Sequence, residues 1–312
     1  MLVGEARAEF TLDLEVREAY EDNVIGLVAD NPNITSTAAT AAAGGAAGEV
    51  AAGDKRGGGS GGGGGGRALH MRKGGGELND IPTTVTTTPT TTTTTTTAAA
   101  GAAGGIVTAG DFSTSFAVDA GYLHDLGDIT TLVFLASVDH TGYMRYTQFN
   151  FTIVSLRAGV SVALTDDLTG KVLVGESVKR FNNSNRNANA MGASFSLKER
   201  FTPAFWVKGV YSYEHNNADS FLDSYTGNSY SIWAGYNLTS KTAVGVGYSY
   251  LTRDFKSSQF RLISKTASAD FTWDFYGNWS MSVGFDHERG DSNAPNSATI
   301  DNIYSVGLLY SY

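Results

Sequence analysis

Three of the five histidines of this 312-residue chain fall near the longer polar connections, each beside a carboxylate: Asp139-His140, Glu214-His215, and Asp286-His287-Glu288. An imidazole paired with a carboxylate can activate water, so these are the candidates for hydrolytic chemistry. No nucleophile–base pair stands out beside them. The chain has no cysteine, which removes a thiol nucleophile, a thiolate metal site, a disulfide and covalent haem attachment. No two of the histidine-bearing stretches share helical or hairpin ligand spacing, so neither a metal nor a cofactor is expected. A second set of residues is defined by charge. Glu9, Asp13, Glu15 and Arg17 alternate with Phe10, Leu12, Leu14 and Val16, and Lys198, Lys208 and Asp270 sit in similar alternating stretches further on. Charges repeating every second residue of a strand line one wall. Around an open passage, three acids and one base would favour cations. Equally, Lys198 and Lys208 would brace a closed interior by pairing with those acids, and both readings stand.

The elements that must carry these residues are strands. No apolar run approaches the ~18 residues of a membrane helix, whereas 16 Phe, 15 Tyr and 38 Gly point to β structure with tight turns. A net charge of −9 without a basic stripe makes nucleic acid an unexpected partner. The chain divides into three parts. Residues 1–24 hold one strand, "AEFTLDLEVREAY". Residues 25–108 are low in complexity, with "GGGSGGGGGG" and "TTTTTTTT", and cannot bury enough apolar surface to offset the entropy of ordering. Residues 109–312 alternate between strand-length segments and turn signals. Two of the strands are irregular on paper. "TQFNFTIVSLRAGVSVAL" changes its apolar face near Ser155, which predicts a bulge, and Glu176 obscures the facing of "KVLVGESVKRF". About twelve strands result, joined alternately by short turns such as DLGD, TDDLTG, RFTP, TSK and DFYGN, and by longer polar connections including HTGYMR, NNSNRNANA and RDFKSS.

Aromatic residues gather next to the short turns: Trp273, Phe275, Trp279, Tyr310 and Tyr312. On the opposite face of the same strands stand Ser280, Ser282, Gly284 and Asp286, or Thr266, Ser268, Asp270 and Thr272. A soluble sandwich would instead bury a Leu- and Ile-rich face. The last strand repeats Tyr304, Val306, Leu308, Tyr310 and Tyr312 at every second position and ends on the aromatic. This ending resembles the C-terminal assembly signal of bacterial outer-membrane β-barrels, which the insertion machinery of that family recognises. "YEDNV", Tyr20 to Val24, resembles the Y-x-D-N-[IV] ending of the first strand in porin-like barrels.

The resemblance implies an all-β, transmembrane, antiparallel up-and-down β-barrel of about twelve strands with one long low-complexity external loop at 25–108. It further implies an outer-membrane location, both termini in the periplasm, and contact with outer-membrane lipid, lipopolysaccharide and, during assembly, the barrel insertion machinery. A homo-oligomer or a larger membrane complex is a candidate assembly. Met1–Phe10 lacks an export signal's cationic start and apolar core, although Ala6-Arg7-Ala8 has the spacing of a cleavage site, so a mature or nearly mature form is expected. Three functional readings follow: a porin-like channel for small solutes or ions, a closed structural or partner-binding barrel, and a hydrolase at the rim. Every one of them requires the barrel. A folded sample in detergent should give a β-type circular dichroism spectrum and migrate differently on a gel before and after boiling; a helical spectrum would exclude the architecture.

Overall fold

The computed structural model describes residues 8–22, 39–40, 89–90, 110–182, 187–256, 261–293 and 299–312. Twelve antiparallel strands among them close into one barrel in chain order. They are β1 (Ala8–Glu21), β2 (Asp111–Asp125), β3 (Thr130–Tyr143), β4 (Phe151–Ala163), β5 (Leu168–Phe181) and β6 (Ala188–Arg200). The second half comprises β7 (Phe205–Ala218), β8 (Tyr225–Asn237), β9 (Thr242–Phe255), β10 (Arg261–Tyr276), β11 (Trp279–Ser292) and β12 (Thr299–Ser311). A two-residue pair, Ala39–Thr40 with Pro89–Thr90, forms a separate sheet. The rest of the 25–108 segment, expected as an external loop, lies outside the described residues. Every short turn falls at one end of the barrel, together with the start of β1 and the end of β12; the longer connections all fall at the other.

Pleating sorts each strand into two faces. Phe10, Leu14, Val16, Phe116, Phe134, Val174, Phe195, Val246, Phe271, Val306 and Leu308 are exposed on the outer face, whereas Glu15, Ser155, Lys179, Ser249, Ser264 and Thr272 are buried on the inner one. Apolar-out and polar-in is the inverse of a soluble barrel and the arrangement of one surrounded by lipid. Outer-face aromatics pack together near the short turns, Trp273 on Phe275 along β10 and Trp279 on Tyr310 across strands, at centroid separations of 5.7 and 5.0 Å. The tightest hairpin there, Gly277-Asn278, places Gly277 at φ +54°, which a primed two-residue turn needs and a β-branched residue would resist.

Closure depends on β1 meeting β12, in register from Asp13–Ser311 to Glu21–Ile303. Leu12 and Tyr312 exchange backbone hydrogen bonds at one end of this seam, at 3.3 and 2.9 Å. At the other end the Asp22 carboxylate accepts from both the backbone N–H and the side-chain amide of Asn302, at 2.8 and 2.7 Å. Asp22 is the acid of the "YEDNV" ending, so that short motif has a physical task at the join. Burial pushes the Asp22 carboxyl up, yet the two Asn302 hydrogen bonds, together with a hydrogen bond involving Asp301 and the nearby His287, outweigh it and hold the group below its ordinary value.

Several sequence expectations need correction. The bulge expected near Ser155 is absent: β4 pairs with β3 without interruption from Phe151 to Val162. Phe151 and Ile153 break the alternation because they turn inward and pack with Tyr143 and Phe149 at the long-connection end. Among the described residues the strand pairing shifts register between Asp274 and Tyr276, beside the Gly277 turn. Strands also reach further toward the long connections than their composition suggests. HTGY of HTGYMR closes β3 as far as Tyr143, and RDF of RDFKSS belongs to β9. Polar residues read as loop are cross-strand pairs in a wall, since backbone pairing continues wherever the neighbouring strand supplies partners.

Removing the Asp22 carboxylate by Asp22→Ala should cost about 1 kcal/mol, the scale of an exposed charged hydrogen bond, and lower the temperature at which the folded gel band disappears. Because the folded carboxyl titrates below its unfolded value, this contribution is present at neutral pH and is lost as pH falls through the folded value. Asp22→Asn should therefore show a flatter acid dependence than the parent across the region below pH ~4.

Candidate functional site: the inner wall

The hydrolytic candidates are separated by the strand pleat. His140, His215 and His287 each point to the outer face, while Asp139, Glu214, Asp286 and Glu288, their sequence neighbours, point inward. Each histidine instead bonds an outer-face residue of the next strand. His140 Nδ1 lies 2.9 Å from Thr152 Oγ1, His215 Nδ1 lies 3.5 Å from Thr226 Oγ1, and His287 Nδ1 lies 2.8 Å from Asn302 Oδ1. Adjacent residues of a strand cannot share a face, so proximity in sequence misled here. Among the described residues no group of three His, Asp or Glu is placed to hold a metal ion.

The charge-defined set faces one volume. Register places Glu9, Asp13, Glu15 and Arg17 of β1, Lys198 of β6, Lys208 of β7 and Asp270 of β10 all on the inner wall. Glu15 is buried and accepts from Arg17, two residues along its own strand, at 2.7 Å. Lys198 and Lys208 are direct cross-strand partners of one another.

Following the pleat round the barrel reveals an order that single segments hide. Among the described residues, every inward acid except Glu214 lies on six consecutive strands, β10, β11, β12, β1, β2 and β3. Every inward base except Arg17 lies on the other six, β4 to β9. The two exceptions are each held by a counter-charge: Arg17 by Glu15, and Glu214 by Lys179 at 2.8 Å, with Tyr225 Oη also donating to Glu214. The lumen thus has an acidic half and a basic half. Acids at its long-connection end include the buried Glu21, Asp111, Glu288 and Asp301, and Tyr143 Oη donates to Glu21 at 3.1 Å.

The basic half contains residues that alternation alone did not single out. Arg253, 2% exposed, packs its guanidinium 4.8 Å from the Tyr225 ring centroid. Two inward tryptophans, Trp206 and Trp233, lie against glycines of the neighbouring strand: a Cβ on Gly235 would collide with the Trp206 indole, and one on Gly247 with that of Trp233. The Lys198 ammonium sits 4.9 Å from the Trp206 ring. Arg253 was hidden because it looked like loop. The tryptophans were legible only through the glycines, each directly aligned with an indole-bearing strand. Several inner-wall polar atoms have no hydrogen-bond partner: Glu21 Oε2, Asp139 Oδ1, Trp233 Nε1, Arg253 Nε and Nη1, and Asp270 Oδ1.

The architecture is that of an outer-membrane β-barrel. Among solved structures the chain is similar to an outer membrane channel from Pseudomonas putida F1, with TM-score 0.51, 9% identity, and coverage of 97% of this chain and 95% of that one. Two porins align less closely: KdgM in complex with disordered oligogalacturonate, at TM-score 0.42 and 13% identity over 65% of this chain and 93% of that one, and NanC, at 0.44 and 10% over 64% and 93%. At such identity the likeness concerns the fold. No protein-family model and no curated protein matches the chain.

Gly235→Ala should drive the Trp206 indole off the wall, costing about 1–3 kcal/mol of stability as overpacking does. The check is the melting of the folded gel band. Gly209→Ala, whose Cβ would meet nothing within 4 Å, should leave it unchanged.

Proposed function

We propose that the protein is a porin-like outer-membrane channel for passive passage of small solutes or ions, with its short turns and both termini on the periplasmic side. The observation that carries this reading is the inner wall itself, which is charged and sorted by sign. Glu9, Asp13, Arg17 and Lys208 on that wall remain at least partly exposed, and charged groups facing an interior are best accommodated by water and small ions. Acids outnumber bases on the inner wall, which favours cations overall, while the segregated halves give each sign its own lane.

A closed, structural or partner-binding barrel is the second reading. It is favoured by apolar side chains that also turn inward: Leu123, Val133 and Leu173 form one cluster, and Tyr143, Phe149, Phe151 and Ile153 another. These would narrow the passage at different heights. An enzymatic role has less support, because the pleat divides each histidine from its adjacent carboxylate.

Planar-bilayer recording of the full chain decides between them. Discrete conductance steps are expected, with a reversal potential in a KCl gradient displaced toward the potassium potential. Asp13→Asn combined with Asp270→Asn should move that potential toward the chloride side. Silence from a sample shown to be folded would favour the closed barrel.

A further inference from the structure

We infer that Lys265 and Arg289 form a site on the outer wall for the phosphate of a lipid headgroup, in the leaflet at the long-connection end of the barrel. The site is separate from the lumen and from conduction. It rests on the channel reading only for orientation, which decides that this leaflet is the outer one.

Lys265 of β10 and Arg289 of β11 are direct cross-strand partners. Register puts both on the outer face, Lys265 with Phe271 and Trp273, Arg289 with Val283 and Phe285. Their side chains stay well exposed, at 43% and 60%. Like charges directly opposite each other in a sheet repel. Among the described residues one carboxylate answers the two cations: Asp291, 3.8 Å from Lys265 Nζ and 3.5 Å from Arg289 Nε. Both separations exceed the roughly 2.7–3.2 Å of a nitrogen–oxygen hydrogen bond. The cross-strand neighbours on the far sides, Tyr250 and Ile300, bring no charge. Arg261, on the same face of β10, shows the contrast: it donates to both oxygens of Asp254, at 2.5 and 3.2 Å, and is neutralised there.

The height of the pair identifies the part of a lipid that it meets. From Phe275 to Lys265, β10 climbs about 25 Å at ~3.3 Å per residue and a tilt of ~40°, and β11 climbs as far from Trp279 to Arg289. Phe275 and Trp279 mark the aromatic boundary by the short turns, and the apolar band of such a barrel is about 25 Å tall. The two cations therefore stand at the opposite boundary, level with headgroups and above the acyl chains. Two cations against one carboxylate leave donors and positive charge in excess, the complement of a phosphate. An ammonium-bearing headgroup would bring a further cation into the repulsion. The chain as a whole carries −9, so what draws an anion is this pair and not the net charge.

The test uses the full chain folded in detergent micelles doped with dioleoyl phosphatidic acid or, for comparison, dioleoyl phosphatidylcholine, with retained lipid read by native mass spectrometry. Saturable retention of phosphatidic acid is expected, with phosphatidylcholine held at least about tenfold more weakly, the scale of a lost charged hydrogen bond. Lys265→Gln and Arg289→Gln should each weaken phosphatidic acid binding about tenfold on the same scale. Arg261→Gln, which removes a cation already paired, should stay within about threefold of the parent. Where one of the first two variants gives no folded gel band, the other takes its place. Equal retention of the two lipids, an undiminished affinity in Lys265→Gln or Arg289→Gln, or an equal loss in Arg261→Gln would each overturn the proposal. Displacement of the lipid by inorganic phosphate at the same concentration would also overturn it, since the site would then serve a free anion. Labelling of the long connections from outside intact cells tests the orientation separately: retention of phosphatidic acid with those connections facing the periplasm would remove the orientation and leave the site.

Discussion

Hydrocarbon offers no hydrogen-bond partner to a backbone amide, so a sheet that crosses a membrane must have no free edge. Everything else in this structure follows from meeting that condition with twelve strands. The first and last strands have to find each other although they are separated by nearly the whole chain. The join uses ladder bonds along most of its length and a side-chain clasp from Asp22 to Asn302 at one end. Asn302 also receives the His287 imidazole, which ties three strands together on the outer face. A histidine that looked catalytic therefore has a role in the wall.

Closure then turns the pleat into a sorting device. Each strand contributes one face to lipid and one to the lumen, and a shift of one residue would exchange the two completely. With register held in this way, charge can be distributed by strand. Acids occupy one contiguous half of the interior and bases the other, and the two residues out of place, Arg17 and Glu214, are each neutralised locally. Such an interior has a field directed across the barrel, and charges in a low-dielectric enclosure act more strongly than the same charges would on an open surface. Glycines complete the arrangement. Gly235 and Gly247 let two bulky indoles lie against the neighbouring strands.

The sequence by itself determined a good deal of this: the β class, the approximate strand number, and the separation of short turns from long connections. All of these are consequences of a period of two and of turn chemistry, which are local properties of the chain. The facing of β5 was obscured only because Glu176 stands on the outer face among valines. Strand ends near the long connections were misjudged because polar composition does not distinguish a loop from a wall that projects beyond lipid.

Only the tertiary structure decided which residues meet. That Lys198 stands opposite Lys208, that Asp22 holds Asn302, that Arg253 rests on Tyr225, and that the acids and bases occupy separate halves are facts of cross-strand register and closure. Register couples residues tens to hundreds of positions apart, and no local pattern encodes it. For the same reason nearness in sequence set each histidine beside a carboxylate that it does not meet: neighbours along a strand lie on opposite faces, and each imidazole bonds a threonine or asparagine of the strand beside it.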